Sequence, residues 1–127
     1  MTKRHRTYST RGRLKAKRVE QDGHKFDSQA EFKRYCQLKL LERAGEISNL
    51  QVHPKFDLTY NGRPILIRSA GFPNGRKATF KPDFGYLKVG AGVVYEDVKG
   101  VATEAYRIRR AIFEAIYFPA QVEEIAA

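Results

Sequence analysis

One stretch limits the folds open to this chain more than any other. Lys81-Pro82-Asp83-Phe84-Gly85-Tyr86-Leu87-Lys88 and Val93-Val94-Tyr95-Glu96-Asp97-Val98-Lys99-Gly100 are two apolar-rich runs separated by Gly90-Ala91-Gly92. The glycines supply the positive φ angles of a tight turn, so the segment is expected to form a β-hairpin. Folding about residues 90–91 sets Asp83 opposite residues 97–98. Side chains alternate along a strand, so Val93, Tyr95, Asp97 and Lys99 share one face and Val94, Glu96 and Val98 the other. Asp83 and Asp97 then face each other with Lys99 beside them. Two carboxylates about 5 Å apart repel by ~3 kcal/mol at an effective dielectric of ~20. A hard divalent cation relieves that repulsion. From the residues alone two readings stand: a metal site with an adjacent lysine, or a strand-end cap at Asp83 with Asp97 and Lys99 as a solvated pair.

The 127 residues fit one domain, and 42% hydrophobic content suffices for a core. No apolar run is long enough to span a membrane, and the basic N-terminus is not followed by the apolar segment of a signal peptide. A single Cys36 allows no internal disulfide and fits a reducing cytoplasm. His5, His24 and His53 are scattered without zinc-ligand spacing and read as ordinary polar residues.

The net charge of +10 is unevenly distributed. Residues 1–18 carry Lys3, Arg4, Arg6, Arg11, Arg13, Lys15, Lys17 and Arg18 and no acid, while residues 19–127 carry sixteen basic and fourteen acidic groups. An arm with so little to bury is expected to be disordered when free. It reads either as a nucleic-acid contact or as a solubilising tail; without an amphipathic face it does not suit a membrane.

Asp22-Gly23 predicts a small hairpin over residues 19–26. Ser28 and Glu31 form a capping-box pattern at the head of a helix that Gly45 stops, with Phe32, Tyr35, Cys36, Leu38, Leu40 and Leu41 as its apolar side chains. Residues 47–54 carry the chain across to a second strand system. Asn61-Gly62 predicts a hairpin between residues 56–60 and 63–67, with Pro64 marking an edge. Residues 69–77, with Gly71, Pro73, Asn74 and Gly75, read as a loop rimmed by Arg68, Arg76 and Lys77, suited to phosphate or simply solvated. Thr103 predicts the cap of a second helix to about Tyr117, with Ala105, Ile108, Ile112, Ala115 and Ile116 as its buried stripe and Arg107, Arg109 and Arg110 at its middle. Residues 120–125 read as one last short strand.

In this order the motifs resemble the PD-(D/E)XK nuclease superfamily over roughly residues 19–125. Pro82-Asp83 is similar to its first half-motif and Asp97-Val98-Lys99 to its second, with Glu31 at the acidic position on the upstream helix. Phe26-Asp27-Ser28, Gly45-Glu46-Ile47, Leu50, Pro54 and Glu96 to Gly100 also resemble a group of small phage and prophage proteins, in which a Gln often stands where this chain has His53. The resemblance implies an α+β fold with a central mixed sheet flanked by two helices, in the order α-β-β-β-α-β. It implies a Mg²⁺-dependent endonuclease acting on DNA (with Mn²⁺ able to substitute), in recombination or branched-DNA processing. Asp83, Asp97, Glu31 and the Val98 carbonyl would hold metal, and Lys99 would orient the attacking water or stabilise developing charge. Arg76, Lys77, Arg107 and Arg110 join the arm as expected DNA contacts. Paired cuts make a homodimer attractive, although no interface signature is visible. The alternatives are a non-catalytic nucleic-acid-binding protein using the arm and the Arg-rich helix, and a nuclease fold turned to partner binding.

Overall fold

The computed structural model describes residues 18–127. The expectations for Lys3, Arg4, Arg6, Arg11, Arg13, Lys15 and Lys17, including disorder of the arm, lie outside the described residues; Arg18 is exposed. Among the described residues the fold is mixed α+β, with two helices and a four-stranded mixed sheet.

Strands β1 (Val19–Gln21) and β2 (His24–Phe26) form the first hairpin, its turn made by Asp22 and Gly23 at φ 55° and 79°. Helix α1 (Gln29–Arg43) starts where Ser28 Oγ accepts the Glu31 N–H at 3.1 Å. It ends in a Schellman motif, with the Gly45 N–H donating to Glu42 O and the Glu46 N–H to Leu41 O. Tyr35 and Leu38 are its buried apolar side chains, whereas Leu40 and Cys36 are exposed. Of the six apolar side chains read from the sequence, the helix thus buries Tyr35 and Leu38 most fully. The wide aromatic ring of Tyr35 reaches Phe26 and Phe84, and that contact sets the buried face.

Residues 47–52 were expected only to cross the molecule. They form strand β3 (Ile47–Val52), paired antiparallel with β10 (Phe84–Lys88). The pairing holds because a bulge absorbs the irregular Asn49, which sits at φ 55°. The sheet continues through β11 (Gly92–Lys99), antiparallel to β10, to β12 (Val122–Ala126), parallel to β11. The β10–β11 register runs from Phe84 opposite Glu96 to Lys88 opposite Gly92, as the turn glycines predict.

Between β3 and β10 lie β4 (Phe56–Asp57), β5 (Thr59–Tyr60), β6 (Arg63–Pro64), β7 (Leu66–Ser69), β8 (Phe72–Lys77) and β9 (Thr79–Phe80). The Asn61-Gly62 hairpin is present and Pro64 lies on a strand with one partner. The expected loop over 69–77 is instead half of a ribbon, β7 paired with β8. Its breakers are accommodated because Pro73, Asn74 and Gly75 fall where the register shifts, with three residues of β8 against Arg68 on β7.

Helix α2 (Glu104–Ile116) is capped by Thr103, whose Oγ1 accepts the Tyr106 N–H. Here the expected stripe is corrected. Ala105, Ile108 and Ala115 are exposed, and Phe113 is the buried residue, with Tyr106, Ile112 and Ile116 packed beside it. Both stripes are apolar in sequence; the larger rings of Tyr106 and Phe113 bury more area, so they take the core side. One core, around Phe26, Tyr35, Leu38, Ile47, Phe84 and Tyr86, lies under α1. The other, around Leu58, Ala78, Phe80, Phe113 and Val122, lies under α2. Among the described residues no helix is long and apolar enough to cross a membrane.

Candidate functional site

The ends of β10 and β11 meet the start of β3's exit loop and the first turn of α1. The Asp83 N–H donates to Asp97 Oδ1 at 2.9 Å, and the Val98 N–H donates to Asp83 Oδ2 at 2.8 Å. The two aspartates therefore clasp each other's strands. Asp97 Oδ2 accepts the Tyr106 hydroxyl from α2 at 2.9 Å. Asp97 is 2% exposed, so the reading of a solvated Asp97–Lys99 pair does not hold. The Lys99 ammonium lies 4.2 Å from the centre of the Tyr106 ring instead.

Glu31 comes in from α1. Its backbone N–H is capped by Ser28, but its carboxylate has turned inward to His53 Nε2, at 2.8 Å. The reciprocal half of the capping box is thus diverted. His53 is held at φ 54° between β3 and Pro54, and its backbone N–H donates to the Asp83 carbonyl. One ligand atom each from Glu31, His53 and Asp83 lies within 4.8 Å of the others. His53 is the residue that sequence reasoning treats as ordinary. No zinc-type spacing marks it, because its neighbours come from α1 and β10.

Burial pushes the Asp83 carboxyl up to about 7, with the charges of Glu31 and Asp97 adding to the effect. Burial likewise raises Asp97, against the hydrogen bonds from Tyr106 and Asp83. Hydrogen bonding to Glu31 raises His53. Among the described residues no lysine or arginine lies within 4 Å of Glu31, Asp83 or Asp97. Buried Glu31 and Asp97 and half-buried Asp83, unpaired with any lysine or arginine among the described residues, are a donor set suited to a hard divalent ion such as Mg²⁺ or Mn²⁺, and the imidazole adds a nitrogen donor.

On the α2 side a cleft of about 410 Å³ opens from the aspartates, lined by Thr79, Phe80, Lys81, Asp83, Asp97, Lys99, Tyr106 and Arg109. Arg109 is braced by a 2.9 Å bond to the Thr79 carbonyl. Of the arginines expected to touch DNA, Arg110 is drawn into a pair with Glu124 and lies over the Tyr106 ring. Arg107, Arg76 and Lys77 are exposed. Val98 adds its N–H to the Asp83 carboxylate.

Over residues 11–126 the sequence matches the family described as "Protein of unknown function (DUF1064)", and the chain belongs to that family. No curated protein and no solved structure matches it.

Proposed function

We propose that this protein is a metal-dependent endonuclease of PD-(D/E)XK type that hydrolyses phosphodiester bonds in DNA. The observation that carries the reading is the cluster of Glu31, His53 and Asp83 beside Asp97, to which the Asp83 N–H donates at 2.9 Å, with no lysine or arginine paired to the three carboxylates among the described residues and with Lys99 in the adjoining cleft. The coarse order through the main sheet, α1, β3, β10, β11, α2, β12, is compatible with the superfamily's core.

Asp83, Asp97 and Glu31 would hold Mg²⁺ or Mn²⁺, with His53 orienting Glu31 through its 2.8 Å bond. When bound, the ion polarises the phosphate and makes water a better nucleophile. Asp83 must be ionised to contribute, and its raised value makes it the ligand most sensitive to pH. Tyr106 fixes Asp97 by its hydroxyl, while its ring face carries the Lys99 ammonium. Lys99 is thereby held at the cleft, where it can orient water or meet negative charge developing on the phosphate. Lys81 and Arg109, on the same walls, offer charge to the flanking backbone.

The test is cleavage of a mixed DNA panel (linear duplex, nicked, branched and single-stranded) with Mg²⁺, Mn²⁺ or EDTA. Cutting is expected with either ion and none in EDTA. Asp97→Asn and Asp83→Asn should each lower the rate by orders of magnitude while DNA binding persists, and Lys99→Ala should lose cleavage but retain metal binding. An Asp97→Asn protein that cuts as fast as its parent sinks the mechanism. DNA binding by the parent without cleavage under any ion would favour the binding-protein alternative.

A further inference from the structure

From Leu58 to Pro82 the chain contains no acidic residue but five basic ones, Arg63, Arg68, Arg76, Lys77 and Lys81. These 25 consecutive positions are the excursion that carries the β7–β8 ribbon. Arg63, Arg68, Arg76 and Lys77 are all exposed, and none joins an ion pair among the described residues. The ribbon is anchored at its base, where Ile65 and Ile67 pack on the core under α2. At its tip Phe72 is 51% exposed, with the Arg76 guanidinium over its ring. Beyond Ala78 the chain leads directly through Thr79 and Phe80 to Lys81, all three lining the cleft of the candidate site. The ribbon's second strand therefore ends two residues along the chain from the wall of that cleft.

We propose that the β7–β8 ribbon docks in the major groove of B-form duplex DNA and sets the candidate site's preference for duplex substrate. The inference rests on nucleic acid being the substrate of the proposed function, but not on cleavage. Dimensions support it. The four residues of β7 that β8 pairs against span roughly 13 Å, and a two-stranded ribbon fits a groove about 12 Å wide and 8.5 Å deep. The register shift that accommodates Pro73 to Gly75 adds right-handed twist, which helps a ribbon follow a groove. Gly75 is required by that shape. Its φ is +91°, and a Cβ there would lie 2.8 Å from the Leu66 Cβ. A-form RNA, with a deep and narrow major groove, excludes the ribbon. A single strand has no groove and would use only the charge.

The full chain is titrated in EDTA, so that no cutting occurs, with a short mixed-sequence DNA duplex, the same sequence as duplex RNA, and one DNA strand. The parent should bind the DNA duplex tightest. Arg68→Ala/Arg76→Ala/Lys77→Ala should weaken duplex DNA binding at least tenfold and flatten its log–log salt slope by roughly 0.9 for each phosphate no longer neutralised. Its single-strand affinity should change much less, and thermal unfolding should match the parent's. Gly75→Ala, which keeps every charge, should reduce the preference for duplex DNA over the single strand by deforming the ribbon. Equal losses on all three probes would reduce the ribbon to unspecific charge and overturn the inference, as would an unchanged affinity or a parent that binds no DNA. Metal-dependent cleavage is judged separately by the Asp97→Asn comparison, so either reading can fail alone.

Discussion

Glu96 and Asp97 are adjacent on β11, and both are almost wholly removed from solvent, at 0% and 2% exposure. Toward α1, Glu96 receives a two-point clamp from Arg34, Nε at 2.8 Å and Nη2 at 2.6 Å, and the Tyr86 hydroxyl as well. Toward α2, Asp97 has one backbone N–H and one tyrosine hydroxyl, and no lysine or arginine within 4 Å among the described residues. The same strand buries two carboxylates, and among the described residues only Glu96 is paired with a lysine or arginine. A buried carboxylate clamped by guanidinium is a structural device. One left with hydrogen bonds beside Asp83 and Glu31 fits the proposed role of ligand to a cation from outside.

The comparison breaks most visibly at Arg34. Arg34→Met strands Glu96 as an unpaired buried charge and should cost about 3–5 kcal/mol of stability. Arg34→Met/Glu96→Leu should recover most of that loss in urea unfolding, since an apolar pair fills the space without charge. A double variant as unstable as the single would mean that Glu96 has a role beyond its pairing.

Next in size is the pH dependence on the other side of β11. Asp83 has its ordinary value of 3.8 when unfolded and about 7 when folded. Between these values the native state holds a proton that the unfolded state lacks. Stability in EDTA should therefore fall as pH rises from about 4 to about 7, by on the order of 2–4 kcal/mol. His53, raised by its bond to Glu31, has the same sign: its contribution is present below 6.5 and is lost as pH rises through its folded value. Saturating Mg²⁺ at neutral pH should restore stability through linkage. If stability in EDTA is flat over this range, the electrostatic contrast between the two carboxylates is wrong.

Smaller still is Asp97→Asn in EDTA. The amide oxygen keeps the Asp83 N–H, and the Tyr106 hydroxyl can rotate to accept from the new NH₂. Stability should stay within about 1 kcal/mol of the parent or rise slightly, and Mg²⁺ should stabilise the variant much less than the parent. Glu31→Gln sharpens the same point at the helix. The Ser28 cap uses the Glu31 backbone, so melting should shift by the equivalent of about 1 kcal/mol or less, whereas cleavage should collapse if the carboxylate holds metal.

Several elements are legible because their signals are local. Asp22-Gly23 and Asn61-Gly62 each demand two residues at positive φ, and both turns adopt it. Ser28 and Gly45 bound α1 as expected, and Thr103 caps α2. The register of β10 on β11 follows from the turn, which places Asp83 against Asp97 and turns Glu96 to the other face. The ribbon is hidden because its breakers lie in an irregular stretch that only cross-strand pairing stabilises. The buried face of α2 differs from the spacing pattern because spacing does not weigh ring size against methyl groups. His53 carries no local signal because its partners are 22 and 30 positions away along the chain.

What the sequence alone determined, then, is what local signals set: caps, tight turns, strand alternation, and, through one hairpin's turn, the placing of Asp83 against Asp97. Tertiary structure decided which of two apolar stripes α2 buries, which carboxylate meets Arg34, that Glu31 turns from its cap to His53, and that Tyr106 anchors Asp97 while supporting Lys99. Those choices depend on groups from different elements competing for the same buried volume and the same hydrogen-bond donors. Sequence spacing carries no record of that competition until the sheet brings its two faces under α1 and α2.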